Sequence, residues 1–243
     1  PDFNLNNFSK LLQDIFKERF AGLLHSINDE TGDRTLASSG SSKLISGEDK
    51  IIEELLGLNF EISMKSFFQT NPKSAEKLYL KVIEYALEKK EAIDNTIVMD
   101  LFCGTGTIGQ ILASRSTNAK IIGVDIVASA INDAKKNAKI NNIQGLKFFA
   151  NDVGKFLNNH PEYKNKIRTI ILDPARAGIA PKTLLKIINI NADRIVYVSC
   201  NPATQARDTE VLILNNYKIK KISLVDQFPH TAHIETVVLF EKL

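Results

Sequence analysis

The chain has 243 residues, of which 44% are hydrophobic and 24% are charged, the composition of a globular protein. Its longest apolar runs are only as long as a strand, so the sequence predicts no transmembrane segment. The formal net charge of +3 is too small to indicate nucleic-acid binding by itself.

The two cysteines, Cys103 and Cys200, cannot form a disulfide framework or a four-ligand metal site. This cysteine usage fits a reducing, cytoplasmic compartment, and we expect no metal in this chain. The first residues lack the basic and apolar regions of a signal peptide. Because the chain begins at Pro1 without a methionine, we expect it to be part of a longer protein.

The N-terminal part predicts a small α+β subdomain. Apolar residues at helical spacing predict an amphipathic helix over residues 8–20. In residues 22–66 short apolar runs alternate with turn-rich stretches at 28–33 and 38–42, which indicates a hairpin-rich, mostly antiparallel structure. We place this subdomain at residues 1–70.

Residues 71–243 predict a Rossmann-like α/β domain. Asn71 can cap a helix that Pro72 opens. That helix has a buried stripe formed by Ala75, Leu78, Tyr79, Val82, Ile83 and Ala86. From residue 96 strands and helices alternate, with strands expected at 97–101, 120–126, 146–150, 167–172, 194–200, 218–226 and 234–241. The loop before the last strand is too short for a helical crossover, so we expect five or six parallel strands and a terminal antiparallel one.

A glycine-rich loop follows the first strand of this domain. Gly104, Gly106 and Gly109 allow the backbone to approach a ligand closely, and the helix that begins here favours polar or anionic groups at its N-terminus. Asp125, about 20 residues further on, stands where an acidic residue holds ribose hydroxyls. This spacing alone fits a dinucleotide site.

Asp100, which precedes this loop, argues against a dinucleotide as the ligand. Asp100 would repel a pyrophosphate, whereas it would attract the sulfonium and ammonium groups of S-adenosylmethionine. We therefore favour methyl transfer over hydride transfer and expect a class I methyltransferase fold. Phe102 and Thr107 flank the cofactor by their position in the loop. Asp152, after the third strand, is placed to meet the adenine, although it could equally be a plain helix cap.

Cys200 ends a predicted strand and precedes a predicted helix. Asn201 can cap that helix and Pro202 can open it. Ligands of open α/β sheets bind at this edge, and a helix N-terminus favours a thiolate. The sequence thus makes Cys200 a candidate nucleophile, although a lone cysteine is more often a packing residue.

Four further motifs occur in the order Phe67-Phe68-Gln69-Thr70-Asn71, Asp173-Pro174-Ala175-Arg176-Ala177-Gly178, Ser199-Cys200-Asn201-Pro202-Ala203-Thr204 and Phe228-Pro229-His230-Thr231-Ala232-His233-Ile234-Glu235. In this order they resemble the RNA 5-methyluridine methyltransferase family, with the closest likeness to its bacterial 23S ribosomal RNA members. The resemblance covers residues 47–243. The chain lacks the TRAM-type RNA-binding barrel and the four-cysteine iron–sulfur motif of many full-length members.

The resemblance implies a role for each site residue. Cys200 is the nucleophile that adds to carbon 6 of uracil, and Glu235 is the base that removes the proton from carbon 5. Gln69 is expected to reach the cofactor, and Asp173 to face both the cofactor and the uracil. Further RNA contacts are expected from Phe68, Arg176, His230 and His233, with Lys182 and Arg207 as candidates for phosphate. Of Phe67 and Phe68, we expect at least one in the core and the other on a base.

Several alternatives stay open at this point. A cytosine C5-methyltransferase uses the same thiolate chemistry, a cofactor-bound RNA-binding factor could have lost turnover, and a nicotinamide oxidoreductase is the weakest rival. The target uridine has to lie in a loop or be flipped out. We expect ribosomal or transfer RNA as partner and a monomer in solution. The sequence does not name the methylated nucleotide.

Overall fold

The computed structural model describes residues 3–27, 42–63, 66–87, 96–116 and 118–243. The predicted turns at 28–33 and 38–41 lie outside these ranges. Helix α1 (Leu5–Phe16) begins and ends before the expected limits of 8 and 20. It begins early because the side chain of Asn4 caps it by accepting from the backbone N–H of Asn7. It ends because Lys17 adopts a positive φ of 49°.

Two antiparallel hairpins follow α1, as predicted. Strands β1 (Gly22–Ser26) and β2 (Ser42–Gly47) form one two-stranded sheet, and β3 (Lys50–Leu55) and β4 (Leu58–Ser63) form another. Leu55 and Phe60 of the second hairpin are fully buried in a core that they share with the large sheet. The proposed domain boundary at residue 70 therefore does not separate two cores, and the division stays a prediction.

The rest of the chain forms a seven-stranded sheet flanked by helices. The helices are α2 (Pro72–Ala86), α3 (Thr107–Arg115), α4 (Ala128–Ile140), α5 (Val153–Asn159), α6 (Pro181–Asn189) and α7 (Pro202–Leu214). The strands are β5 (Ile97–Leu101), β6 (Lys120–Asp125), β7 (Leu146–Ala150), β8 (Ile167–Leu172), β9 (Arg194–Ser199), β10 (Tyr217–Val225) and β11 (Glu235–Lys242). Each predicted strand is confirmed to within one residue.

The strand order is β10-β11-β9-β8-β5-β6-β7. Strands β5 to β9 are parallel, and β11 lies antiparallel between β9 and β10. The chain continues from β5 to β6 on one side and from β8 to β9 on the other. The topological switch point, where open α/β sheets bind ligands, therefore lies between β5 and β8.

Helix caps agree with the sequence prediction. Asn71 accepts from the backbone N–H of Ser74 at the start of α2, and Asn201 accepts from that of Ala203 at the start of α7. The predicted stripe of α2 is buried throughout. Among the described residues, no helix is both long and apolar enough to cross a bilayer.

Candidate active site

A cavity of about 520 Å³ opens at the carboxyl edge of the sheet, at the switch point between β5 and β8. This volume lies within the usual range for small-molecule sites. Eleven of the predicted site residues line it: Phe68, Gln69, Asp100, Phe102, Gly104, Thr107, Asp125, Asp173, Arg176, Cys200 and Glu235. Residues from six separate stretches of the chain thus meet at one edge.

The glycine-rich loop forms one wall of this cavity. Gly106 adopts a φ of 69° at the start of α3, and a Cβ atom there would lie 2.5 Å from the ring of Phe148. Only glycine fits that position, so Gly106 shapes the loop from behind, outside the cavity lining. Phe102 also has a positive φ of 65°, a strained conformation that is found mostly at functional sites. Buried Gln110 supports the loop by donating to the carbonyl of Thr105.

The carboxyl groups of Asp125 and Asp100 both accept hydrogen bonds from backbone N–H groups of this loop and its helix. Asp125 accepts from the backbone N–H groups of Gly104 (2.9 Å) and Val127 (2.8 Å), so each of its oxygens keeps a lone pair for a ligand. Asp100 is fully buried, and its Oδ2 accepts from the N–H of Gly109 at 3.0 Å. Its Oδ1 is buried and has no hydrogen-bond partner among the described residues. Burial, and secondly the charge of Asp125, raise the pKa of Asp100 to about 7.

Sheet register brings Cys200 and Glu235 together. Ser199 on β9 is paired with Thr236 on β11, so the next residues along this antiparallel ladder lie side by side. Cys200 is half-buried and Glu235 is 5% exposed. Burial raises the pKa of Glu235 above its ordinary value, which is the expected direction for a general base.

The expected stabilisation of a thiolate by the α7 N-terminus is wrong as a net effect. Burial, and then the charges of Glu235 and Asp173, raise the pKa of the Cys200 thiol, while Arg176 lowers it. Desolvation and two nearby carboxyl groups thus have a larger effect on this pKa than the backbone hydrogen bond and Arg176, which lower it. Burial also raises the pKa of Cys103, whose side chain packs against a buried cluster that includes Ala134 and Phe148.

A third acidic group and a tyrosine complete this end of the cavity. The pKa of Asp173 is raised to about 8 by burial, then by Glu235 and Asp100. Tyr79 of α2 also lines the cavity, and burial beside Asp173 raises its pKa. The sequence assigned Tyr79 only to the buried stripe of α2. Nothing in a helical periodicity tells which buried residue reaches the sheet edge.

The two phenylalanines of this motif differ in their surroundings, and the expected RNA contact of Phe68 stays a prediction. Phe68, which was expected to contact RNA, packs against the buried ring of Phe60 with ring centroids 6.0 Å apart. Phe67 is 78% exposed and lines the cavity mouth. The exposed aromatic ring at this site therefore belongs to Phe67, because the partner of Phe68 comes from the β3–β4 hairpin.

Like Gly106, the predicted residues Asp152, His230 and His233 lie outside the cavity lining. Asp152 caps α5 by accepting from the N–H of Lys155 at 2.8 Å. His230 and His233 are exposed in the loop before β11. Their expected contacts with cofactor or RNA stay predictions.

Two arginines near the site, Arg176 and Arg207, make hydrogen bonds to other parts of the protein. The carbonyl of Arg176 accepts from Asn201 and Thr204, so the backbone, not the guanidinium, anchors this loop. Arg207, expected near phosphate, pairs with Asp208 and donates to the carbonyl of Ala177. Its guanidinium therefore ties the loop after β8 to α7.

The chain matches the profile of the family described as tRNA (Uracil-5-)-methyltransferase over residues 7–243. It is 44% identical over 238 residues to an uncharacterised RNA methyltransferase of Clostridium tetani, with 98% of this chain and 50% of the relative covered. A second such relative, from Clostridium acetobutylicum, is 44% identical over 242 residues, with 99% and 51% covered. The chain thus spans about half the length of these relatives.

Comparison with solved structures also points to RNA methyltransferases. The tRNA (uracil-54, C5)-methyltransferase of Pyrococcus abyssi, in complex with S-adenosyl-L-homocysteine, has a TM-score of 0.72 and 32% identity, with 91% of this chain and 51% of that chain covered. TYW2 of M. jannaschii in complex with AdoMet, at 19% identity and a TM-score of 0.55, shares the fold alone. The fold is that of a class I S-adenosylmethionine methyltransferase, and the chain belongs to the tRNA (uracil-5-)-methyltransferase family.

Proposed function

We propose that this chain is the catalytic part of an enzyme that methylates carbon 5 of a uridine in RNA, with S-adenosylmethionine as methyl donor. The observation that carries the proposal is that Cys200 and Glu235, the residues next to the Ser199–Thr236 pair of β9 and β11, line one cavity with the glycine-rich loop. A nucleophile and a base on one cavity wall are what uracil C5 chemistry requires.

The cavity fits this donor. Asp100 has a buried oxygen without a partner among the described residues, and Asp173 lies near it in the same lining. A cationic group there would relieve the cost of burying these carboxyl groups. The free lone pairs of Asp125 suit the ribose hydroxyls, and the N-terminus of α3 faces the same space. When bound, S-adenosylmethionine supplies a methyl group on a sulfonium, which a carbon nucleophile can attack.

Each reacting side chain has one task in this scheme. The thiolate of Cys200 forms a bond to carbon 6 of uracil, and the electron pair of the 5,6 double bond moves to carbon 5 and oxygen 4. Carbon 5 would then take the methyl group as the bond between that methyl and the donor's sulfonium breaks, and the donor would leave as the neutral thioether S-adenosylhomocysteine. The carboxylate of Glu235 removes the proton from carbon 5, the double bond re-forms, and the bond between sulfur and carbon 6 breaks to return the thiolate.

The RNA has to present its uracil outside a helix. We assign the exposed ring of Phe67 to stacking at the cavity mouth and the exposed Arg176 to the nearby phosphate. The resemblance of the motifs favours 23S ribosomal RNA, while the Pyrococcus abyssi relative acts on uracil 54 of tRNA. Both RNAs are therefore candidates, and we propose a cytoplasmic site of action.

Mass-spectrometric mapping of RNA tests the proposal. Purified chain, S-adenosylmethionine and unmodified ribosomal or transfer RNA should yield 5-methyluridine at one position, with Cys200→Ala as the inactive control. A product of 5-methylcytidine, or methyluridine formed by the Cys200→Ala variant, would contradict the assignment of this site.

A further inference from the structure

A buried amide pair stands behind the cavity wall at Gln69. Gln227, in the loop between β10 and β11, is fully buried and does not line the cavity. Its Nε2 donates to Oε1 of Gln69 and to the backbone carbonyl of Asn71, both at 3.3 Å. The two glutamines are 158 residues apart in the sequence. Neither contact belongs to the reaction scheme above.

The hydrogen-bond roles in this pair are fixed by neighbouring backbone groups. The carbonyl of Asn71 can only accept, so the amide end of Gln227 that faces it has to be the NH₂ group. The atom of Gln69 that meets the same NH₂ group therefore has to be its oxygen. Turning Gln69 over would place two donors against each other and leave a buried donor without a partner, which is unfavourable.

The same loop is held in place by further contacts. Asn71 accepts from the N–H of Ser74 through its side-chain oxygen, which leaves its NH₂ group to donate to the carbonyl of Gln227 at 3.1 Å. The hydroxyl of Ser74 donates to the carbonyl of Asp226 at 2.9 Å. The helix cap of α2 thus fixes the amide of Asn71 and holds the backbone at Gln227, while the backbone carbonyl of Asn71 orients the amide of Gln227 and, through it, that of Gln69.

We propose that Gln227 is a positioning residue that locks the amide of Gln69, so that Gln69 presents its NH₂ group to the cavity and selects an oxygen acceptor there. Gln69 is 9% exposed, lines the cavity, and its Nε2 has no partner among the described residues. The acceptor is either the carboxylate of the cofactor's methionine part or a carbonyl oxygen of the pyrimidine. Only this choice of ligand rests on the proposed function.

The first test measures the orientation itself. The side-chain NH₂ resonance of Gln69 should have a high order parameter in the wild type and a low one, below about 0.6, in Gln227→Met, which keeps the length of the side chain but removes its donor. Gln110→Met is the control, because Gln110 is also fully buried but bonds to Thr105 and Ala134. A Gln69 amide that stays rigid in Gln227→Met overturns the proposal.

The second test is a double-mutant cycle on ligand affinity. Calorimetry with S-adenosylhomocysteine should give a dissociation constant about three- to tenfold weaker for Gln227→Met, because binding then has to immobilise the Gln69 amide. In the Gln69→Ala background the same substitution should change nothing. An equal loss in both backgrounds means that Gln227 only supports the fold and overturns the proposal.

The third test separates the two possible acceptors. If the affinity for S-adenosylhomocysteine is unchanged, the same cycle is run on binding of unmodified ribosomal RNA and of unmodified transfer RNA, with the cofactor product present. A coupled loss there assigns the acceptor to the pyrimidine, and no coupling with either probe overturns the proposal. None of these measurements needs turnover, so an absence of 5-methyluridine would contradict the proposed function and leave this inference standing.

Discussion

At the scale of single residues, the site combines the proposed nucleophile, Cys200, with acidic neighbours that raise the pKa of its thiol. The pKa of the Cys200 thiol is raised by burial and by two carboxyl groups. In a free site this protects the cysteine from oxidation and alkylation, since the thiolate is the reactive form. A cation bound at this edge of the sheet would offset the negative charge of the two carboxylates, so the reactivity of Cys200 should depend on the ligand in the cavity.

Removal of one carboxylate should lower this pKa. In a Cys103→Ser background, Glu235→Gln should raise the rate of alkylation of Cys200 by iodoacetamide at pH 8 by about threefold or more, because a nearby negative charge is lost. The pH dependence of the rate measures the shift. The exposed Glu210→Gln variant should behave as the parent does. A rate unaffected by Glu235→Gln would show that the two groups do not sense each other.

The order of the chemical steps gives a second expectation for the same residue. Glu235→Gln keeps the shape of the side chain but cannot accept the proton from carbon 5, so the methylated adduct should persist as a protein–RNA cross-link. A denaturing gel shows it as a slow band. The band should disappear in the double variant with Cys200→Ala. Turnover of Glu235→Gln at a near wild-type rate would place the base elsewhere.

The sequence was sufficient for residues whose position follows from local structure. Cys200 and Asp173 end predicted strands, so their common edge could be predicted. Which of Phe67 and Phe68 is the more exposed could not be predicted, because it depends on a hairpin ring that packs against Phe68. The contact of Gln227 with Gln69 could not be predicted either, because the two residues lie 158 positions apart in the sequence.

At the scale of elements, the β3–β4 hairpin is joined to α4 by two asparagines. Asn137 accepts from the N–H of Glu61 and donates to its carbonyl, and Asn141 does the same with Asn59. Each side chain thus replaces one residue of a neighbouring strand along the free edge of β4. Helical spacing puts both asparagines on one face of α4, but no sequence pattern indicated which strand they meet.

This joint should depend more on Asn137 than on Asn141. Asn137→Ala should lower the free energy of unfolding by about 2–3 kcal/mol, because it leaves two backbone groups of Glu61 without partners in a part-buried place. Asn141→Ala is the matched control and should cost less, since water can reach its contacts with Asn59. Urea denaturation measures both. Equal losses would mean that the burial of the joint has no effect on its strength.

At the scale of the whole molecule, the cavity disfavours the ionised forms of two carboxyl groups, a cost that a cationic ligand would offset. Burial raises the pKa of Asp100 to about 7 and of Asp173 to about 8, from ordinary values of 3.8. Between the ordinary pKa of 3.8 and these raised pKa values, the folded chain binds more protons than the unfolded chain. Stability contributed by these two groups is therefore present at low pH and is lost as the pH rises from about 4 to about 8.

A neutral replacement should remove this pH dependence at one position. Asp173→Asn should raise the melting temperature of the ligand-free chain at pH 8 by about 2–4 °C or more, which corresponds to 1 kcal/mol for a protein of this size, and should change it little near pH 4. Scanning calorimetry across this range measures the effect, with the exposed Asp14→Asn as control.

A cationic analogue of S-adenosylmethionine should stabilise the wild type more than Asp173→Asn at pH 8, because only the wild type has that carboxylate to neutralise. If Asp173→Asn instead destabilises the chain equally at both pH values, the carboxyl group of Asp173 serves the fold and not a cation.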